Sequence, residues 1–577
     1  MNNQQAAKTF SHLADMLDIE GTENKFAIIA YRRVAEQLSN LDRDVNTIAQ
    51  AGELRSIPGV GAAIAEKIDS LLATGSFPLL DRLNAAIPAS VVELLSVPDM
   101  GPKRVKLLWE QAGITSLTQL EAAAREGKLA GLPGVGKKLE EKIIANLAAI
   151  KKRGASDRSP LGLAYPVAQA MLKRLMLVDG VLRASVAGSL RRMKETIGDI
   201  DLLVACEHVE PVMDTFTTLP QVAEVIARGP TKSSVRLHTG QQVDLRVIQP
   251  KHWGAALQYF TGSKDHNVRL REIALKQGYS LNEYSLTRLS DGEDVFCAEE
   301  REVYETLGLP YVPPELREDR GELERDIPRL LELSDLRGDL QMHTTWSDGH
   351  TSIEEMARAG KARGYEYILI TDHSQSLGVT NGLTPERLKQ QRAEIEAVNA
   401  LNLGIRVLQG AEVEIKADGS LDYPDEVLAS LDIVLASLHT SLRQERERVT
   451  ARALSAIRNP HVDIFAHPTG RLNFEANDPA KARDGADLDM EAIFAACAET
   501  GTLIELNASP ERLDLNDLHA RRALDVGCTL VISTDAHSPA MLDNIHYGVA
   551  MARRAWATSD RVANTWPLAK LLSFIQH

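Results

Sequence analysis

Seven short apolar runs between residues 336 and 577, in alternation with helix-forming stretches, constrain the fold of this chain most. They read GDLQM, YILIT, RVLQGAEVEI, DIVLASL, DIFAH, LIELN and LVIST. Short runs without an apolar/polar alternation are the pattern of parallel strands covered by helices on both faces. At or just after their C-terminal ends stand His343 and Asp348, His373, Glu412, His439, His467, Asn507, and then Asp535 with His537. In a β/α barrel all strand ends open onto one face, so residues far apart in sequence converge there. Imidazoles mixed with carboxylates suit zinc, manganese or iron, and two or three closely spaced ions suit phosphoester hydrolysis. A single histidine is more often a core or surface residue, but the recurrence of the set at successive strand ends argues for a metal site.

A second constraint lies upstream. In VAGSLRRMKETIGDIDLLVAC, residues 186 to 206, a Gly-Ser turn and two arginines precede two alternating aspartates. Side chains two apart on a strand point the same way, so Asp199 and Asp201 lie side by side while Ile200, Leu202 and Leu203 pack around them. Two such charges repel unless a cation lies between them. Magnesium, held by one or two carboxylates and completed by water and phosphate oxygens, is the simplest occupant. Gly188 and Ser189 offer backbone N–H groups at the turn, and Arg191 and Arg192 offer forked donors suited to phosphate. Asp244, in the apolar strand QQVDLRVIQP, is the candidate third carboxylate. The competing explanation is an exposed strand edge charged for solubility.

At 577 residues the chain exceeds one core, and three or four domains are expected. Three segments of the first 150 residues share one plan: LRSIPGVGAAIAEKI, LLSVPDMGPKRVKLL and LAGLPGVGKKLEEKI. Each is an apolar helix end, a Pro-x-x-Gly turn and a new helix starting at the glycines. Such helix-hairpin-helix motifs turn free N–H groups outward at a helix N-terminus, where a nucleic-acid phosphate binds without its base being read. Gly59, Gly61, Gly101, Gly134 and Gly136 are the candidate DNA-binding positions; the middle copy departs from the pattern with Asp99 in place of glycine. Residues 151–161, KKRGASDRSPL, read as a basic linker. The net charge of −15 is uneven. Residues 1–320 hold 39 Lys+Arg against 41 Asp+Glu, and the remainder 26 against 39, so the acidic excess belongs to the C-terminal half. Four scattered cysteines without CxxC spacing fit a reducing compartment, and no run is long enough to span a bilayer. A cytoplasmic, nucleoid-associated chain is the expectation.

On these motifs the first 320 residues resemble a family X DNA polymerase, the group that includes DNA polymerase beta, and the remainder resembles a PHP (polymerase and histidinol phosphatase) domain. The implied fold class is multidomain α+β and α/β: a helical helix-hairpin-helix region, a nucleotidyltransferase palm and thumb, and a C-terminal distorted (β/α)7 barrel of PHP type. The implied divisions are a lyase-type DNA-binding domain at 1–85, a second helix-hairpin-helix domain at 86–153, palm at 154–255, thumb at 256–315, linker at 316–335 and PHP domain at 336–577.

By resemblance Asp199 and Asp201 bridge two magnesium ions and the triphosphate, and Asp244 orients or deprotonates the primer 3′-hydroxyl. Gly188, Ser189, Arg192 and Arg158 fall on triphosphate contacts. In YFTGSKDHNVRLREIA, Tyr259, Phe260 and Gly262 shape the sugar site, Asn267 reaches the minor-groove edge, Arg271 follows the template, and Lys264 lies over the incoming base. Lys67, with Arg55 and Tyr31, matches a Schiff-base lyase centre, weakened by Ala63 where relatives carry a phosphate-binding lysine. Of the PHP ligands, His343, Asp348, His373, Glu412, His439, His467, Asp535 and His537 are matched. Gln341 replaces a ninth, a histidine, in DLQMHTTWSDG.

The function so implied is templated filling of short gaps in DNA repair, with a manganese- or zinc-dependent 3′→5′ exonuclease and abasic-site or 3′-end processing in the PHP domain. Gapped or nicked duplex DNA and dNTPs are the expected partners, with no membrane, and the chain is expected to be monomeric. The alternatives are a metal-dependent 3′ nuclease with a non-polymerising DNA-binding half, a template-independent nucleotidyltransferase, and a DNA-binding scaffold.

Overall fold

Phe10, Leu13 and Leu17 recur at helical spacing and are buried, which fixes the inward face of the first helix, α1 (Asn3–Glu20). It packs against α2 (Lys25–Ser39) at the start of a unit, residues 1–157, whose described elements are all helical and whose apolar cluster draws, among the described residues, on 6–147. The computed structural model describes the chain apart from residues 2, 23, 40, 42–44, 58, 98–99, 130, 133–135, 137–139, 141, 145–146, 148–157, 475–481 and 576–577. Two of the expected hairpins are plain. Gly59 turns at φ 83 and Gly61 caps α3 (Ala62–Thr74), and Gly101 caps α4 (Pro102–Ala112), whose proline stands in the first turn, where its missing N–H costs nothing. Of the third, Gly136 is exposed and its carbonyl accepts from Glu140 N, while Gly134, like Asp99 of the second, lies outside the described residues. Most of the expected basic linker also lies outside them.

Residues 158–577 form the second unit. Helix α5 (Leu161–Leu175) packs against a five-stranded sheet of β1 (Val181–Val186), β2 (Ile200–Cys206), β3 (Val222–Arg228), β4 (Lys232–Leu237) and β5 (Gln242–Ile248). The spatial order is β1-β2-β5-β4-β3, and only β2 and β5 run parallel, in a register that sets Asp201 opposite Asp244. A one-turn helix, α6 (Gly188–Arg191), leaves β1 directly above β2. Beyond the sheet come α7 (Trp253–Thr261) and α8 (Lys264–Lys276), the latter capped by Ser263 Oγ accepting from His266 N. A small antiparallel sheet of β6 (Tyr279–Leu281), β7 (Leu286–Arg288) and β8 (Asp294–Val295) leads to α9 (Glu300–Thr306).

Residues 316–335 are tightly packed for a segment expected as a linker: Arg317 and Leu331 are wholly buried, and Glu322 and Leu330 nearly so. After them seven parallel strands follow in sequence order: β9 (Gly338–Asp339), β10 (Tyr367–Ile370), β11 (Arg406–Glu414), β12 (Ile433–Ser437), β13 (Ile464–Phe465), β14 (Leu503–Asn507) and β15 (Leu530–Ser533). A parallel bridge between Met342 and Ala536, with His343 N donating to Ala536 O at 2.8 Å, closes the barrel between its first and last strands. Helix α10 (Ile545–Arg554) lies outside β14 and β15 and reaches back toward the segment after α9. One apolar cluster joins Leu161, Met171 and Leu190 near the five-stranded sheet to Phe494, Leu506 and Tyr547 of the barrel region.

Candidate active sites

The five-stranded sheet supplies the first site. Asp199 just before β2, Asp201 on it and Asp244 on β5 bring carboxylate oxygens within 4.8 Å of one another. Burial and the charges of Asp199 and Asp244 push the Asp201 carboxyl up to about 7, only partly offset by Lys232 and Arg192. Burial acts in the same direction on Asp244, but hydrogen bonds from Lys232, Gln242 and Ser234 outweigh it and hold that carboxyl below its ordinary range. Three mutually repelling acids on adjacent parallel strands fit a divalent cation, which removes the repulsion and displaces the proton.

The turn before α6 explains the position of Asp201. Gly188 has φ 56, and a Cβ there would meet Asp201 Oδ2 at 2.0 Å, so the loop lies directly over the carboxylate. Ser189 is half-buried beside it, and Ala187 N donates to Asp201 O at 2.8 Å. The two arginines of the turn are committed to protein partners. Arg191 forms a forked pair with Glu300 at 2.7 and 2.8 Å, while Arg192 donates to Glu318 at 3.0 Å and to Thr261 O at 2.6 Å. Arg158 is exposed, donates to Thr196 at 2.9 Å and 2.6 Å, and brings its Nη1 within 3.1 Å of a Cβ position at Gly198, next to Asp199.

The neighbouring expected pocket residues fall on α7 and α8. Tyr259 and Phe260 meet edge to face at 5.1 Å, and Arg246 covers Phe260 at 4.9 Å. Gly262 turns at φ 70 against Arg192, and Lys264 and Arg271 are exposed on α8. Asn267 is engaged at both ends of its amide, donating to Tyr259 O at 2.7 Å and accepting from Gln258 at 2.8 Å, so a nucleotide must compete for it. In the N-terminal unit Lys67 donates to Ala63 O at 2.9 Å, Arg55 is exposed, and Tyr31 is a core residue packed on Phe10.

The barrel mouth supplies the second site. Its side chains form three overlapping groups: His343, Asp348, His373 and His537; His373, Glu412 and His439; and His343, Glu412 and Asp535. Glu412 is the hub, 3.1 Å from His439 Nε2 and 2.7 Å from His467 Nε2. His343 stacks between His373 at 4.5 Å and His537 at 4.4 Å. Hydrogen bonds from His373 and His537 overcome the effect of burial and hold Asp348 well below the usual carboxylate range. His467 at φ 26 and Asp535 at φ 54 occupy backbone that non-glycine residues enter at a cost of roughly 1–3 kcal/mol each, so the surroundings over-determine them. His343 Nδ1 and His467 Nδ1 are buried without a hydrogen-bond partner. Orphaned imidazole nitrogens beside shared carboxylates fit divalent metal ions. All eight expected ligands thus converge. Gln341 instead donates through Nε2 to Glu412 at 3.1 Å and leaves its Oε1 buried and unpaired.

Sequence reasoning missed several neighbours. Lys232, on β4, reaches Asp244 at 2.6 Å, and Gln242 reaches it at 2.9 Å. Glu414 orients His439 at 3.0 Å, and Arg512 lies 3.4 Å from Asp535. Gln242 and Glu414 could have been found two residues from an expected ligand on the same strand face; Lys232 and Arg512 carry no local signal.

Over its full length the chain is 39% identical to the DNA polymerase/3′-5′ exonuclease PolX of Bacillus subtilis, with both chains covered completely. The chain belongs to the PolX family. Family models match this PolX chain as a helix-hairpin-helix domain at 1–77, a SAM-like helix-hairpin-helix tandem at 91–149, a DNA polymerase beta thumb at 256–318 and a PHP domain at 339–509. A probable phosphatase of Thermoanaerobacter is 31% identical over 240 residues, covering 39% of this chain and 90% of that protein. DNA polymerase lambda of Rattus norvegicus is 25% identical over 335 residues, 53% of this chain and 54% of the rat protein. The match thus spans both the polymerase-like and the barrel half of one PolX architecture.

Proposed function

We propose that this chain is a DNA-templated DNA polymerase that fills short gaps during base excision repair, and that its barrel is a 3′→5′ exonuclease with abasic-site and 3′-end processing activity. The observation that carries the reading is the meeting of Asp199, Asp201 and Asp244 within 4.8 Å, in a chain that matches a polymerase/exonuclease over its whole length. The domain limits are those expected from sequence, 1–85, 86–153, 154–255, 256–315 and 336–577; family matches at 1–77, 91–149 and 256–318, and one that starts at 339, support the first, second, fourth and last of them.

In the palm, Asp199, Asp201 and Asp244 hold magnesium. When bound, it supplies the charge that activates the primer 3′-hydroxyl and offsets the departing pyrophosphate. The protein's own share is positioning. The Gly188–Ser189 turn presents N–H groups to the triphosphate, Arg158 and Arg192 flank it, Tyr259, Phe260 and Gly262 wall the sugar, and Lys264, Asn267 and Arg271 meet the base pair. Lys232 and Gln242 hold Asp244 ionised and aimed. In the barrel, the eight ligands hold manganese or zinc, and Glu414 fixes the orientation of His439. The glycine-capped hairpins at Gly59, Gly61, Gly101 and Gly136 grip gapped duplex DNA by its backbone. Lys67 gives at most a weak lyase. The chain works as a monomer in the cytoplasm, at the nucleoid.

A labelled primer on a one-nucleotide gap, with and without dNTPs, in magnesium and then manganese, tests the reading. Wild type extends by the templated base. Asp201→Ala loses extension by at least about 100-fold and keeps degradation, and His343→Ala does the reverse. A primer that shortens in manganese but never grows would overturn the polymerase assignment.

A further inference from the structure

The arginine expected at the triphosphate is paired with a carboxylate that an arginine of the barrel shares. Arg192 lies close enough to Asp201 to influence its proton, and its Nη1 lies 3.1 Å from a Cβ position at Gly262, so it stands at the edge of the palm site. Its Nε nevertheless donates to Glu318 Oε1 at 3.0 Å. The same oxygen accepts from Arg554 Nη1 at 3.2 Å. Lys194 completes the set, 3.9 Å from Glu318 Oε2.

The two guanidinium groups on Glu318 are not equivalent. Arg554, at the end of α10, is only 4% exposed and fixed on every side: Nη1 donates to Arg192 O at 2.7 Å and Glu315 O at 3.2 Å, and Nη2 donates to Asp517 Oδ2 at 2.7 Å. Asp517 is held in turn by Arg320 at 3.3 Å. Among the described residues the Arg192 side chain donates to Glu318 and the Thr261 carbonyl alone, and it belongs to the turn that faces the acids. A buried carboxylate stripped of its partner costs several kcal/mol, so Glu318 can release Arg192 only if another cation stays behind. Arg554 is that cation, with Lys194 in support.

We propose that Glu318 and Arg554 are positioning residues for the polymerase reaction: Glu318 holds Arg192 in reserve, and Arg554, reaching in from the barrel domain, keeps Glu318 compensated when Arg192 turns to the triphosphate of the incoming nucleotide. The inference rests on the assignment of Arg192 to the triphosphate made under the proposed function. It goes further in making the barrel domain a structural part of the nucleotide site.

The two positions must then act with opposite sign. Steady-state gap filling on the full-length chain, with dNTP varied and KM and kcat separated, is the test, with thermal melts and the manganese exonuclease rate recorded for every variant. Glu318→Gln frees Arg192 and lowers the dNTP KM by about five-fold. Arg554→Met paired with Asp517→Asn, which keeps the buried charge balanced, leaves Glu318 dependent on Arg192 and raises KM by a similar factor. Adding Glu318→Gln to that pair returns KM to or below the wild-type value, a rescue that a merely structural role does not give. Exonuclease rates stay within two-fold of wild type, about the scatter expected of remote substitutions.

If Glu318→Gln raises KM or leaves it unchanged, or if the triple variant stays impaired, the inference is overturned. Should the Arg554 pair fail to fold, the direction of the Glu318→Gln shift alone decides, downward in support and otherwise against. Arg192→Ala separates the two levels of the argument. A KM raised by about ten-fold or more upholds the triphosphate role whatever the other variants do, and an unchanged KM removes that role and this inference with it.

Discussion

Asp201 bears the strongest electrostatic conflict in the palm, and it makes the pH dependence of the metal-free protein calculable in sign. Its carboxyl moves from an ordinary 3.8 to about 7 on folding, first by burial and then by the charges of Asp199 and Asp244. Between those values the folded chain binds a proton that the unfolded chain has released. The stability this group contributes is therefore fully present below about pH 4 and is lost as pH rises through about 7. A divalent cation displaces that proton, so binding tightens as pH rises. In EDTA-stripped protein, wild type should lose more Tm than Asp201→Asn between pH 5.5 and pH 8. Added magnesium should raise the wild-type Tm more at pH 8 than at pH 5.5. Equal pH profiles for the two proteins would show that Asp201 titrates as an ordinary surface acid. The two aspartates of this pair were legible in the sequence because strand alternation puts them on one face. Lys232, which restrains Asp244 across two strands, was not, because its position follows from a register of Ser234 on Asp244 that no local pattern encodes.

The turn from β1 into α6 shows how little backbone freedom the nucleotide loop has. Gly188 holds φ 56, and a methyl group there would stand 2.0 Å from Asp201 Oδ2 and 3.0 Å from its Cγ. Gly188→Ala therefore meets both a conformational penalty and a clash that only movement of Asp201 or of the turn relieves. Displacement of a catalytic group by about 1 Å costs on the order of 100-fold in rate, and gap filling should fall by about that factor. The manganese exonuclease, built on other strands, should keep its wild-type rate, and a joint loss of both activities would mean that the palm does not tolerate the change at all. The barrel strands were legible for a related reason: the residues that reach the mouth stand near, at or just after the ends of the apolar runs, so element and ligand were read together. What closes the barrel was hidden. Met342 and Ala536 pair across nearly the whole length of the domain, and the strands at that seam are short, Gly338–Asp339 in place of an expected five-residue run.

The two largest apolar clusters fall in different units of the molecule, and that division predicts how it unfolds. Among the described residues the cluster of residues 6–147 draws on the first unit alone, whereas the cluster that begins at Leu161 runs from the palm into the barrel without a break. The sequence suggested separate palm and PHP domains because their textures differ. The shared core and the Glu318–Arg554 pair escaped it because both are built from residues more than 200 positions apart. Palm and barrel should thus melt together and the N-terminal unit by itself. Phe10, wholly buried between Tyr31 at 6.0 Å and Phe77 at 5.8 Å, is the position that separates the two. Truncation of a buried phenylalanine costs about 3–5 kcal/mol. In denaturant titrations followed by calorimetry, Phe10→Ala should move one transition downward by that amount and leave the other in place, with the single-strand exonuclease rate unchanged. Gap filling should weaken at temperatures where the first transition is complete, because the hairpins that grip the duplex are then lost while the palm remains folded. If both transitions shift together, the N-terminal unit is stabilised by the rest of the chain, and the separation of the two cores does not govern unfolding.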